Sequence, residues 1–209
     1  KLQGWKTMVS ELRRQKPTVK VGLVGKYVEL HDAYLSVREA LNHAALYYGV
    51  GVDLKWISST DVEKNNALDT LSGLDAILVP GGFGSRGVEG KVMAAQYARE
   101  NKIPYLGLCL GLQVMMIDFA RNVLGLENAD SAEFDKLTPD PVIDLMLEQR
   151  GLDQMGGTMR LGLYPCHIKP ETKASVLYRA EEIQERHRHR YEFNNEYREK
   201  FEENGIIFS

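Results

Sequence analysis

Cysteine is scarce: Cys109 and Cys166 are the only two in 209 residues. That excludes a disulfide-stapled scaffold and, with no partner spacing, points to a reducing compartment, by default the cytoplasm. Long hydrophobic runs are absent too. The longest apolar stretches, Ile103–Leu112 and Gly205–Phe208, fall far short of the ~20 residues that cross a bilayer, and the charged start Lys1–Arg14 has no signal-peptide core. No membrane association is expected. Charge of one sign is not in excess either, since 26 Lys and Arg face 29 Asp and Glu for a net −3. No whole-protein field is present to hold a polyanion, so nucleic acid is not an expected partner. Repeats and low-complexity tracts are missing as well. At 44% hydrophobic and 26% charged, the composition is that of a folded globular chain of one large domain or two small ones.

Trp5, Met8, Val9 and Leu12 recur at helical spacing among basic residues before Pro17, which predicts an amphipathic leader helix over Lys1–Gln15. Val19–Val24 reads as a strand ending at Gly25, and Ala33, Val37, Leu41, Ala44 and Tyr48 as one face of the following helix. Further strands are predicted at Val52–Ile57, Ala76–Val79 and Tyr105–Leu108, with a loop or short helix at Ser58–Asn66. Helices are predicted over Val88–Asn101 and, resuming directly after Gly111, over Leu112–Val123. Short strands apolar on both faces and alternating with helices predict an α/β fold, a doubly wound and mostly parallel sheet with helices on both sides. After Asp130 the pattern breaks into short alternating runs such as Thr158–Leu163 and a charged helix near Glu181. Extra, partly antiparallel strands are expected there.

Between the fourth strand and its helix lies Gly107-Leu108-Cys109-Leu110-Gly111. A nucleophile on a sharp strand-to-helix turn takes a strained backbone, and bulky neighbours would meet the crossing chain, so glycines flank it. The helix that starts at Leu110 would aim its N–H groups and positive end at the thiol and favour thiolate. Leu110 N–H is placed to donate to an oxyanion. Pro80-Gly81-Gly82-Phe83-Gly84 ends the preceding strand at the same carboxyl edge of the sheet, so Gly81 or Gly82 can supply a second N–H. The bland alternatives are a buried small cysteine and a plain turn or phosphate cradle. The loop lacks the Gly-Lys-Ser/Thr ending of a nucleotide loop. Cys166, after Tyr164-Pro165, has neither flanking glycines nor a predicted following helix and is expected to be a bystander.

These motifs, with Val24-Gly25-Lys26-Tyr27, Asp32-Ala33-Tyr34-Leu35-Ser36-Val37, Leu112-Gln113, Gly156-Gly157-Thr158-Met159-Arg160-Leu161-Gly162 and Glu185-Arg186-His187-Arg188-His189-Arg190-Tyr191-Glu192, resemble the glutaminase half of the CTP synthase family. The Pro-Gly-Gly and Gly-x-Cys-x-Gly pair is shared by all class I (triad-type) glutamine amidotransferases. The resemblance implies residues 1–18 as leader helix and linker and 19–209 as a glutaminase domain. It implies that Cys109 attacks L-glutamine, releases ammonia and forms a glutamyl thioester that water cleaves. It implies Gly82, Phe83, Leu110, Gly111, Leu112 and Gln113 around the reacting end, Glu133 for the α-ammonium and Arg190 for the α-carboxylate. Read from the residues alone, Glu133 is a solvated loop acid and Arg190 part of an exposed basic strand or a weak nucleic-acid patch.

The family further implies a preceding synthetase domain that aminates UTP with ATP and Mg²⁺, GTP as activator, and a homo-tetramer. No residue of that domain is identifiable here, and no cofactor or metal is expected in this one. The Lys26–Asp32 loop is expected to face the synthetase domain. A general-base histidine and an orienting glutamate come late in the family, in a Phe-His-Pro-Glu-like segment that this sequence lacks. His31, His43, His167, His187 and His189 are each without an acid two places on. His187 and His189 fall in the Arg-His-Arg motif and are read as structural or pocket support. Two alternatives stand beside the enzyme: a catalytically incomplete module of the same fold that binds glutamine or a partner domain without hydrolysis, and another Cys-dependent hydrolase such as a γ-glutamyl hydrolase.

Overall fold

The computed structural model describes residues 2–145 and 160–209. Contacts divide the chain into two compact units, Lys1–Met115 and Met116–Ser209. In the first, the order is α1 (Gln3–Arg13), β1 (Thr18–Gly25), a 3₁₀ turn (His31–Tyr34), α2 (Leu35–Tyr48), β2 (Gly51–Ser58), α3 (Ser59–Lys64), α4 (Ala67–Leu71), β3 (Ala76–Val79), α5 (Val88–Glu100) and β4 (Tyr105–Gly107). Helix α6 (Leu110–Asn122) starts in this unit and ends in the next. The strands form one parallel sheet in the order β2-β1-β3-β4.

Parallel strands need both faces covered, and the apolar runs supply the cover. Leu23, Val24, Ile77, Leu78 and Val79 are buried in the two central strands. The register sets Leu23 beside Leu78 and Val79 beside Gly107, so Lys26, Pro80 and Leu108 leave the sheet at the same carboxyl edge. The Tyr34 hydroxyl fixes the first of these exits by accepting the Lys26 and Tyr27 N–H groups at 3.1 and 3.2 Å. Helix α1 forms as its spacing predicts but buries none of its residues.

The second unit holds β5 (Ala129–Ser131), β6 (Asp140–Leu145), β7 (Arg160–His167), α7 (Lys173–Tyr178), β8 (Glu182–His189), β9 (Tyr191–Phe193), a 3₁₀ turn (Asn195–Tyr197) and α8 (Arg198–Glu203). Strands β5 and β6 run parallel, β9 joins β6 antiparallel, and β7 and β8 form a separate antiparallel ribbon. Phe201, fully buried, packs its ring against Phe119 and Phe193 at centroid distances of 5.4 and 5.0 Å.

The expected mixed, partly antiparallel second half is present, with one correction. The charged helix expected near Glu181 is strand β8, and the helix of this region, α7, ends before it. Ile183, Glu185, His187 and His189 alternate toward the half-buried face of the ribbon. That period of two, paired along its whole length with β7, overrides the helix propensity of Ala180-Glu181-Glu182. Gly156-Gly157-Thr158-Met159, which the sequence singles out, lies outside the described residues, while the rest of the Thr158–Leu163 run, from Arg160 on, is the start of β7.

Candidate active site

Cys109 adopts φ 52°, the left-handed region that side-chain-bearing residues avoid at a cost of about 1–2 kcal/mol. The strain follows from how abruptly β4 turns into α6. Leu108 N–H still bonds the sheet through Val79 O at 2.9 Å, yet Gly111 N–H already bonds Leu108 O at 2.9 Å and Leu112 N–H bonds Cys109 O at 3.0 Å. Tyr105 ties the turn down by donating its hydroxyl to Gly111 O at 2.7 Å. Cys109 is left exposed at the first turn of the helix. Leu110 N–H is the first donor of that helix, and its side chain is buried.

The flanking glycines are needed for the reason the sequence implies. A Cβ on Gly107 would lie 2.5 Å from Gly111 O and Leu112 N, and one on Gly111 would run into the Val79 carbonyl. Backbone cannot step aside as a flexible side chain does. Gly111→Ala is therefore expected to lower stability by at least ~3 kcal/mol, whereas Gly4→Ala, in α1 with open space around it, should be neutral or slightly stabilising. Thermal unfolding of the two variants checks this, and an unchanged midpoint for Gly111→Ala would contradict the packing described.

The Pro80-Gly81-Gly82 loop comes to the same turn. A Cβ on Gly81 would be 3.3 Å from Cys109 Cβ and 3.9 Å from Sγ, and one on Gly82 would be 3.7 Å from the Leu110 side chain and 3.5 Å from Lys91 Nζ. Gly81, Gly82, Cys109 and Leu110 thus gather as the sequence predicts. Around them Gly111 and Gln113 are buried, and Phe83 and Leu112 are exposed. Lys26 reaches the loop from β1, donating from Nζ to Phe83 O at 3.4 Å.

Lys91 is the residue that sequence reading missed. It is 2% exposed, and burial, with Lys26 as a nearby like charge, lowers its pKa to about 8, while Cys109 pulls it the other way. The signal was available: Val88, Lys91, Val92, Ala95 and Ala98 all fall on the buried stripe of α5, so helical periodicity puts the lysine on the apolar face.

In the second unit Glu133 and Arg190 share a neighbourhood. Glu133 follows β5, its N–H donating to Ser131 Oγ at 3.2 Å. Tyr191, next to Arg190, opens β9 opposite Leu145. The Tyr191 phenol is pushed up by burial first, then by Glu133, with Arg190 opposing and Asp144 adding to the rise. Both residues therefore act on one ring, an acid and a forked base in a half-buried setting.

Arg186 and Arg188 point outward from β8 while His187 and His189 face inward, joined Nδ1 to Nε2 at 2.8 Å, with His189 Nδ1 on Tyr191 O at 3.1 Å. Burial and then Arg160 hold His187 below its ordinary pKa. Cys166 sits mid-strand in β7 opposite Ile183. Among the described residues no cluster of three or more His, Cys, Asp or Glu is arranged for a metal ion, and no helix is long and apolar enough to cross a membrane.

Comparison with known proteins gives this geometry a family. Residues 29–209 match the model of "Glutamine amidotransferase class-I". The CTP synthases of Bacillus velezensis and Carboxydothermus hydrogenoformans are 56% and 58% identical over 205 and 208 residues, covering 98% and 100% of this chain but 38% and 39% of theirs. The chain thus spans well under half the length of these relatives. The glutaminase domain of Trypanosoma brucei CTPS with bound acivicin superposes with a TM-score of 0.84 at 38% identity, over 91% of this chain and 74% of that one. The chain belongs to the class I glutamine amidotransferase family, and within it to the glutaminase domains of CTP synthase.

Proposed function

We propose that Cys109 is the nucleophile of glutamine hydrolysis. The observation that carries this is a cysteine held at φ 52° at the start of a helix, exposed, with Gly81 packed against its side chain. Its thiolate attacks the side-chain amide carbon of L-glutamine, forming the C–S bond and moving the π pair onto oxygen. Leu110 N–H and the N–H of Gly81 or Gly82 receive that oxyanion. Collapse expels the amine, which leaves as ammonia with a proton from a general acid, and water then cleaves the thioester to glutamate. Gly82, Phe83, Leu110, Gly111, Leu112 and Gln113 line the reacting end. Supporting this reading, the T. brucei domain carries acivicin, a glutamine analogue.

Glu133 and Arg190 are proposed to read the amino-acid end, the carboxylate of Glu133 taking the α-ammonium and the guanidinium fork of Arg190 the α-carboxylate. Arg190→Ala is expected to weaken glutamine use by roughly 2–5 kcal/mol, the usual effect of leaving one member of a buried charged pair alone. It should show as a raised KM with ammonia-driven synthesis intact. Unchanged kinetics would assign the basic run to another ligand.

Residues 19–209 would form the glutaminase domain, and the ammonia would serve a synthetase domain that aminates UTP with ATP and Mg²⁺ under GTP activation. The greater length of the CTP synthase relatives supports such a partner. A homo-tetramer in the cytoplasm completes the proposal. The general base and its orienting acid are proposed to come from outside these 209 residues. The test of the nucleophile is acivicin labelling followed by peptide mass spectrometry. One equivalent on Cys109 and none on Cys166 is expected; a pure glutamine-binding module gives no adduct, and equal labelling of both thiols would sink the assignment.

A further inference from the structure

Lys91 is a full positive charge on the buried face of a helix, where a lysine is costly and an apolar residue would pack as well. What stands next to it explains the placement. Its ammonium lies 3.5 Å from where a side chain on Gly82 would begin, and Cys109 Sγ lies 3.9 Å from the corresponding point on Gly81. The two consecutive glycines therefore carry the thiol beside one and the cation beside the other.

Among the described residues, the titratable groups that act on Lys91 are Lys26, from the end of β1, and Cys109, from the turn before α6. They act with opposite sign, Lys26 against the charge and Cys109 for it. Coupling between two ionisations is reciprocal, so a cation favoured by the cysteine favours the thiolate in return. The low-dielectric position makes that interaction stronger than a surface lysine achieves, and less open to salt screening.

Resting on the reading of Cys109 as nucleophile, we propose that Lys91 is its positioning residue, a buried ammonium behind the Gly81-Gly82 loop that holds the thiol ionised. It touches no substrate in this role and acts only through Cys109. The dependence on pH has a definite sign. Below about pH 8 Lys91 carries its charge and supports the thiolate; above that it becomes neutral and the support is withdrawn. An ordinary thiol ionises in that range without help, so the benefit is confined to neutral and mildly acidic conditions.

The test reads the thiol directly and needs no turnover. In the 209-residue chain with Cys166→Ser, Cys109 is the single thiol, and its iodoacetamide alkylation rate is measured against pH. Lys91→Met, close in shape and without charge, is expected to move the half-point up by about one unit and slow alkylation at pH 7 about tenfold. Lys91→Arg should restore the profile. A Lys91→Met profile superimposable on the parent would overturn the proposal.

Should the core reject these side chains, the reciprocal measurement uses Cys109→Ser with Lys91 intact. With the anionic partner gone, Lys91 should lose its proton at lower pH, followed through the ¹³Cε resonance of labelled lysine. No movement there would overturn the proposal equally. Failure of acivicin to label Cys109 would instead strike the nucleophile reading, and the thiol profile does not depend on it.

Discussion

Cys109→Ser is expected to abolish glutamine-dependent activity of the full-length enzyme, by ~10³-fold or more, while ammonia-driven synthesis proceeds at the parental rate. Serine is close to cysteine in size, so it can occupy the same exposed, left-handed position at the start of α6 without disturbing Gly107, Gly111 or the Val79 carbonyl. What is lost is ionisation. A helix end favours a thiolate but leaves a hydroxyl, with its far higher intrinsic pKa, protonated. Assays of ammonia release and of CTP formed from either nitrogen source separate the two activities. Loss of both together would mean that Cys109 shapes the fold rather than the chemistry.

A comparable loss should distinguish the 209-residue chain from one carried on through a Phe-His-Pro-Glu-like segment. General acid–base catalysis contributes about 10²–10⁴-fold, and neither departure of ammonia nor attack of water on the thioester proceeds well without it. The histidines present are engaged elsewhere or lie in the open. His31 stacks on Trp56 at 4.4 Å, and His43 is exposed on α2. His167 faces Glu182 at 3.3 Å on the ribbon surface, and His187 and His189 bond each other. Ammonia release from glutamine by the two purified chains is the measurement. Equal turnover would make one of these five histidines the base.

The first unit was legible in the sequence because its signals agree across levels. Ala76–Val79 is apolar on both faces, bounded by Asp75 and Pro80, and is a strand with those limits. The glycines at 107 and 111 mark a turn whose crowding is now explicit. Elsewhere local and tertiary preferences disagree. Ala180-Glu181-Glu182 favours helix, but pairing with β7 decides the matter after Arg179, whose left-handed backbone closes α7. Lys91 escaped notice because lysine is ordinarily read as solvated; its position on the stripe, rather than its residue type, carried the information. The closeness of Glu133 and Arg190 to one tyrosine was beyond any local pattern, since it depends on β9 crossing to β6 from nearly fifty residues away.

The left-handed backbone at Cys109 sets two selective pressures against each other. Glycine relieves the conformational cost, the side chain there is exposed, and a single nucleotide change converts a cysteine codon to a glycine one. A lineage held only to the requirement of folding would drift to glycine at this position, so keeping a cysteine there takes a demand other than foldedness. Gly107 and Gly111 answer to the packing itself and gain nothing from replacement. A descendant freed from glutamine chemistry should therefore shed the thiol early and keep both glycines long afterwards, leaving the turn as a relic of the reaction it once served.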